Sequence, residues 1–165
     1  MLMAAIALGM SGWVFQPTAP GSLGRFEAPL PENVTLYDHV SVSPDGRKLA
    51  FTATAPGGLW VRDLAALEWR RLPGTEGAST PFWSPDSRYV GFIVDNTLRR
   101  VDTTGGPPET VTSVPTAALR SGAWNRHGDI VLGSWGGGSG GPLWRVSRAG
   151  GAASALTEVD LRRRR

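Results

Sequence analysis

The 165-residue chain contains no cysteine, which excludes disulfide frameworks, thiolate nucleophiles and cysteine-ligated zinc. It has only two histidines, His39 and His127, so a metal centre would need carboxylates to complete it. No metal and no cofactor is expected. Long hydrophobic runs are scarce: the main apolar stretch, residues 1–15 (MLMAAIALGMSGWVF), would make a helix of about 22 Å, short of the ~30 Å hydrocarbon core of a bilayer. An excess of one charge is lacking as well. The net charge is +3, but Arg162 to Arg165 supply four of the 17 basic residues, leaving 13 basic against 14 acidic side chains in the rest of the chain. Binding a phosphate backbone requires a basic stripe on a folded surface. Nucleic acid is therefore not an expected partner, and residues 161–165 read as a solvated Arg-rich tail.

What is present points to turns and strands. With 22 glycines and 13 prolines, 35 of 165 residues break helices or make turns, which argues against a helical bundle. A hydrophobic content of 41% with seven tryptophans is too rich for a disordered chain. The first charge is Arg25, so residues 1–15 lack the basic flank of a signal peptide. They are expected to be the end of a membrane helix that begins upstream, with a poor signal sequence as the alternative. Residues 16–24 (QPTAPGSLG) read as a Pro-broken linker. Either reading puts the domain after Gly24 outside the cytoplasm.

The chain repeats itself every 41 residues. Val42-Ser43-Pro44-Asp45-Gly46-Arg47 matches Trp83-Ser84-Pro85-Asp86-Ser87-Arg88, and both match Trp124-Asn125-Arg126-His127-Gly128-Asp129. After each anchor comes a β-rich run (LAFTA, VGFIV, IVLGS), the third arriving one residue early. A second run succeeds it, Leu59-Trp60-Val61-Arg62, Leu98-Arg99-Arg100-Val101 and Leu143-Trp144-Arg145-Val146, and a third closes each unit near Leu72, Val111 and Leu156. The anchor has turn chemistry. Pro presets φ for a type I turn, Ser or Asp hydrogen-bonds the backbone, and Gly accepts positive φ. Asp95-Asn96 reads as a two-residue hairpin turn.

Four short strands per repeat of about 40 residues mark a β-propeller blade. The expected fold is all-β, a partial propeller of about three four-stranded blades behind a short apolar N-terminal helix. The divisions are 1–15 membrane-anchor helix, 16–38 linker and lead-in strand, 39–78 blade one, 79–120 blade two, 121–160 blade three and 161–165 tail. Propellers close with four to eight blades. Three blades are about half of a six-bladed ring, so the expected partners include the remaining blades of a parent chain or a second copy.

The repeats resemble those of TolB-like β-propellers, marked by a Trp-Ser-Pro-Asp-Gly turn, a hydrophobic strand, a Leu-Trp-Val strand and a Gly-Gly turn. Unit three departs at Asn125-Arg126-His127-Gly128. A narrower resemblance takes in Arg25-Phe26-Glu27-Ala28-Pro29-Leu30-Pro31, Leu59-Trp60-Val61-Arg62-Asp63-Leu64 and Leu72-Pro73-Gly74-Thr75-Glu76-Gly77-Ala78. These are similar to the extracytoplasmic part of bacterial receptor-like serine/threonine kinases with a C-terminal propeller. That resemblance implies a membrane-anchored sensor whose kinase domain lies elsewhere, because this chain has no Gly-rich loop with Val-Ala-Ile-Lys, no His-Arg-Asp and no Asp-Phe-Gly. The repeats also look like the gating propeller of prolyl-oligopeptidase-like serine peptidases and like TolB-like periplasmic scaffolds.

No catalytic residue is expected within the chain. There is no Gly-x-Ser-x-Gly elbow, and the glycine-rich residues 136–141 are followed by a strand rather than a helix. Ser43, Pro44, Asp45, Gly46, Ser84, Pro85, Asp86, Ser87 and Gly128 recur in register and read as structural turn residues. Trp83 with Trp124, and Trp60 with Trp144, share registers and read as packing between blades. In a four-stranded meander the first and third connections lie on one face and the others on the opposite face. The first face has near-uniform turns. On the second the connections vary, and binding tends to sit on variable loops held by a rigid scaffold. Trp135, Arg120 and Glu76 on that face are the candidate binding residues for a protein or small-molecule ligand.

Overall fold

The computed structural model describes residues 27–37, 40–115, 119–134 and 141–157. The expected helix at 1–15, the linker to Arg25 and the Arg-rich tail lie outside the described residues. Among the described residues there is no helix, and none long and apolar enough to cross a membrane.

Turn chemistry sets where each sheet bends. The Ser43 hydroxyl donates to the Asp45 carboxylate (2.5 Å) and accepts the Lys48 amide (2.8 Å), while the Gly46 amide closes on the Ser43 carbonyl (2.8 Å). Unit two repeats the arrangement atom for atom through Ser84, Asp86 and Tyr89. In unit three the Asn125 side-chain oxygen replaces the hydroxyl, accepting the amides of His127 and Asp129 at 2.9 Å. An amide reaches further than a hydroxyl, so the turn closes with one residue fewer and the next strand arrives early. Gly46, Ser87 and Gly128 hold the position of positive φ, at 69°, 58° and 93°.

The strands form three antiparallel meanders. The first sheet holds β1 (Thr35–Leu36), β2 (Ser41–Val42), β3 (Lys48–Ala55), β4 (Gly57–Asp63) and β5 (Arg70–Arg71), with β1 and β2 both pairing along β3. The inner strand of blade one is thus made of two short segments, and the sheet reaches back to Thr35. The second holds β6 (Ser79–Trp83), β7 (Tyr89–Val94), β8 (Thr97–Asp102) and β9 (Glu109–Ser113). The third holds β10 (Leu119–Trp124), β11 (Asp129–Ser134), β12 (Leu143–Ser147) and β13 (Ser154–Ala155). Leu119 and Arg120 therefore belong to the inner strand of blade three. The expected hairpin at Asp95-Asn96 joins β7 to β8.

Blades one and two bury both faces because their alternating strands supply two apolar rows. Phe51, Phe92 and Leu132 occupy one repeat position and are fully buried. Ala50, Leu59, Val61 and Leu72 of blade one meet Trp83, Val90, Phe92 and Val101 of blade two. Ile93 and Leu98 of blade two meet Ile130, Leu132 and Val146 of blade three, with Trp124 and Trp144 packed against them. Trp83, Trp124 and Trp144 thus pack between blades as expected, whereas Trp60 stacks on Phe51 of its own blade, and the Trp83 indole also donates across the junction to the Ser41 carbonyl (3.1 Å). Phe82 lies between blades two and three, and a Cβ on either Gly91 or Gly122 would fall inside its ring. Those two glycines are where the blades come close.

An open arc is expected to leave its end faces bare. Blade one covers most of its own: Trp60 stacks parallel to Phe51 (6.3 Å), Trp69 meets it edge-on (4.7 Å), and the Trp69 indole donates to the Pro29 carbonyl (2.8 Å). Leu36, Tyr37, Val40 and Val42 remain exposed beside it. The outward face of blade three is more polar, with an Asp129–Arg145 ion pair (2.9 Å) beside exposed Leu143.

Candidate functional site

Repeated sequence positions allow each junction between blades to be compared side chain for side chain. On the face formed by the Ser-Pro-Asp turns, blades one and two are stapled. The Lys48 ammonium donates to the Ser87 carbonyl (3.2 Å) and the Thr103 hydroxyl (3.1 Å), and the Asp45 amide donates to the Ser87 hydroxyl (3.1 Å). Arg70 adds hydrogen bonds to the carbonyls of Thr103 and Thr104.

The junction of blades two and three has none of these bonds, for a reason visible at each position. Tyr89 stands where Lys48 stands, both being the last residue of their turn hydrogen bond. Gly128 stands where Ser87 stands and has no hydroxyl to offer. Glu109 occupies the register position of Arg70 and is drawn sideways into an ion pair with Arg100 (2.7 Å). A groove of about 620 Å³ opens there, lined by residues that include Asp86, Tyr89, Arg100, Trp124, Arg126 and Arg148. Its volume lies in the range of small-ligand sites.

The walls are aromatic and the rim is basic. Arg88 and Arg100 each sit by the Tyr89 ring, at 5.1 and 5.3 Å from its centre. Arg148 is placed by Gly128: its amide donates to the Gly128 carbonyl (2.7 Å), and its side chain crosses the space a Cβ there would fill. Among the described residues neither Arg126 nor Arg148 has an ion-pair partner. Asp86 is the acid of the lining, and its carboxylate accepts the Ser84 hydroxyl (2.5 Å) and the Arg88 amide (3.1 Å), which hold it below the usual carboxylate range. Near the groove, the hydroxyl and amide of Thr104, and behind them Arg88, bring Asp102 down to about 2. These are carboxylates kept ionised by turns, and among the described residues no three metal-ligating side chains gather.

The residues expected to bind ligand on the opposite face are not all placed. Glu76 lies in the connection after β5, paired with Arg71 at 2.6 Å. Arg120 is exposed on β10, and Trp135 lies outside the described residues. A smaller hollow of about 420 Å³ opens near Glu76, lined by Tyr37, Thr54, Gly77 and Asp95 among others. The expected turn residues all sit in turns, and three of them, Ser84, Pro85 and Asp86, also line the large groove. Tyr89, Arg126 and Arg148 were legible only as breaks in the repeat: Tyr89 and Arg148 stand where Lys48 and Thr103 staple the preceding junction, and Arg126 stands where the other turns carry proline.

No protein-family model matches the chain, and a search of curated proteins returns no match. Solved structures match with the fold of a TolB-like β-propeller. A protein described as TolB from Agrobacterium tumefaciens superposes with a TM-score of 0.62 at 20% identity, over 77% of this chain and 50% of that one. An oligogalacturonate lyase in complex with manganese gives 0.58 at 21% identity, over 77% and 42%. The β-propeller domain of the Trilobed protease from Pyrococcus furiosus, which has an open velcro topology, gives 0.54 at 15% identity, over 77% and 44%. The chain spans half or less of each of these structures.

Proposed function

We propose that this chain is a non-catalytic recognition unit of a TolB-like propeller, binding a small ligand or a short protein segment in the groove between blades two and three. The observation that carries the reading is that the cross-blade bonds made by Lys48 and the Asp45 amide at the preceding junction have no counterpart here, where a long bond from Arg100 to the Arg148 carbonyl (3.4 Å) spans the turn face. A rigid scaffold with one opened seam holds a ligand without supplying chemistry, since the nearby carboxylates are committed to turns. The resemblance of the repeats and of the segment after Arg25 supports an extracytoplasmic, membrane-tethered sensor joined to a serine/threonine kinase domain outside this chain. The exposed Leu143 on the outward face of blade three is where further blades, of a longer chain or a second copy, would continue the arc.

Amide chemical shifts of the labelled protein, followed against a panel of small ring-bearing compounds, test the reading. Perturbations should gather at Tyr89, Trp124 and Arg148, disappear in Trp124→Ala and persist in Arg120→Ala, with the compounds recovered unchanged. Perturbations that gather instead around Arg120 and Glu76 would move the site to the opposite face. Turnover of a compound would refute the non-catalytic reading.

A further inference from the structure

The groove has a charge that the rest of the repeat does not. At the turn position where units one and two carry Pro44 and Pro85, unit three carries Arg126. At the position following the third strand, fixed by one shared backbone hydrogen bond, units one and two carry Leu64 and Thr103 and unit three carries Arg148. Both substitutions put a guanidinium on the same groove, beside Arg100. The lining then holds three arginines against one aspartate, whose carboxylate is already engaged by its own turn. Arg100 is partly neutralised by Glu109 and spends another N–H on the Arg148 carbonyl (3.4 Å), which leaves Arg126 and Arg148 as the open donors. A guanidinium fork matches the oxygens of a carboxylate or phosphate and can take them bidentately. The Tyr89 and Trp124 rings beside it offer flat apolar surface.

Resting on the reading of this groove as the ligand site, we infer that its ligand is an anion: a small molecule or segment that joins a carboxylate or phosphate, held by Arg126 and Arg148, to a ring or apolar body packed on Trp124 and Tyr89. The same groove on the preceding junction, lined by Lys48, Asp63, Glu68 and Arg70 among others, has balanced charge and its cations are committed to protein carbonyls and a hydroxyl. Anion selectivity therefore belongs to one junction, and a titration can localise it.

Four probes separate the possibilities: benzoate, phenyl phosphate, the neutral ring benzyl alcohol, and inorganic phosphate. Calorimetric or NMR titration should give benzoate or phenyl phosphate an affinity about tenfold above that of benzyl alcohol, one charge-assisted hydrogen bond's worth. The preference should shrink as sodium chloride is raised from low salt to physiological strength and beyond. The double variant Arg126→Gln, Arg148→Gln should lose the preference while binding benzyl alcohol as before. Both side chains are exposed and have no ion pair among the described residues, so the variant should melt with the parent protein. Whichever of benzoate and phenyl phosphate binds more tightly identifies the oxyanion. Equal binding of benzyl alcohol and the anions would overturn the inference and leave the groove a ligand site without charge selection. Inorganic phosphate binding as well as phenyl phosphate would overturn the part assigned to the aromatic wall. No perturbation of the groove by any of the four would overturn both this inference and the proposed site.

Discussion

Phe82 offers the sharpest test of how the blades are held. Its ring is buried between blades two and three, over Gly91 of β7 and Gly122 of β10. Phe82→Ala removes the ring and leaves a cavity, which costs about 3–5 kcal/mol. Gly122→Ala puts a methyl into the ring and costs about 1–3 kcal/mol by overpacking. With the ring already removed, that methyl enters empty space on a strand residue whose backbone conformation suits alanine, and the same substitution should instead stabilise by about 0.5–1 kcal/mol. The two changes are therefore coupled by about 2 kcal/mol or more. Urea unfolding followed by tryptophan fluorescence measures this as midpoint shifts at constant slope, and the melting temperature should move by about 2–4 °C per kcal/mol for a chain of this size. Where Phe82→Ala does not fold, Phe82→Leu closes a cycle of the same sign and smaller size. Additivity of the two substitutions within about 0.5 kcal/mol would refute the close approach of the blades at this ring.

Two further outcomes rest on the polar contacts. Lys48→Met removes the two Lys48 staples between blades one and two while keeping most of the aliphatic stem, and should cost about 1–3 kcal/mol in urea unfolding. Tyr89→Met, at the equivalent position of the open junction, should cost less, and the reverse order would contradict the assignment of the staples. Asp102 has a folded pKa of about 2 against about 3.9 in the unfolded chain, so the unfolded state binds the extra proton between those values. The stability it contributes is present above about pH 4 and is lost as pH falls toward 2. Melting temperatures across that window should fall less steeply in Asp102→Asn, and an unchanged slope would remove Asp102 from the acid response.

Much of the fold was legible in the chain because its determinants are local and repeated. Ser43-Pro44-Asp45-Gly46 and Ser84-Pro85-Asp86-Ser87 bend the strand through hydrogen bonds that span at most five residues, so composition and spacing alone located the turns. Alternation of Leu49 to Ala53 and of Val90 to Val94 carried the two buried faces in the same way. The period of 41 residues then placed equivalent side chains in equivalent environments, which is why the tryptophan registers could be read as packing positions.

The site was different. Repetition drew attention to the loops that vary in length, and so to Glu76, Arg120 and Trp135, whereas the groove arises where turns of nearly constant length change one side chain each. Lys48 and Tyr89 are the same strand position, and nothing local distinguishes their consequences. Lys48 closes its junction only because Ser87 and Thr103, 39 and 55 residues away, present a carbonyl and a hydroxyl to it. Gly128 and Arg148 present neither to Tyr89. The sequence by itself determined the blades, since each strand and turn needs only its near neighbours. The tertiary structure alone decided which seam between blades stays open, because that depends on pairs of side chains brought together by blade packing across about one full repeat or more.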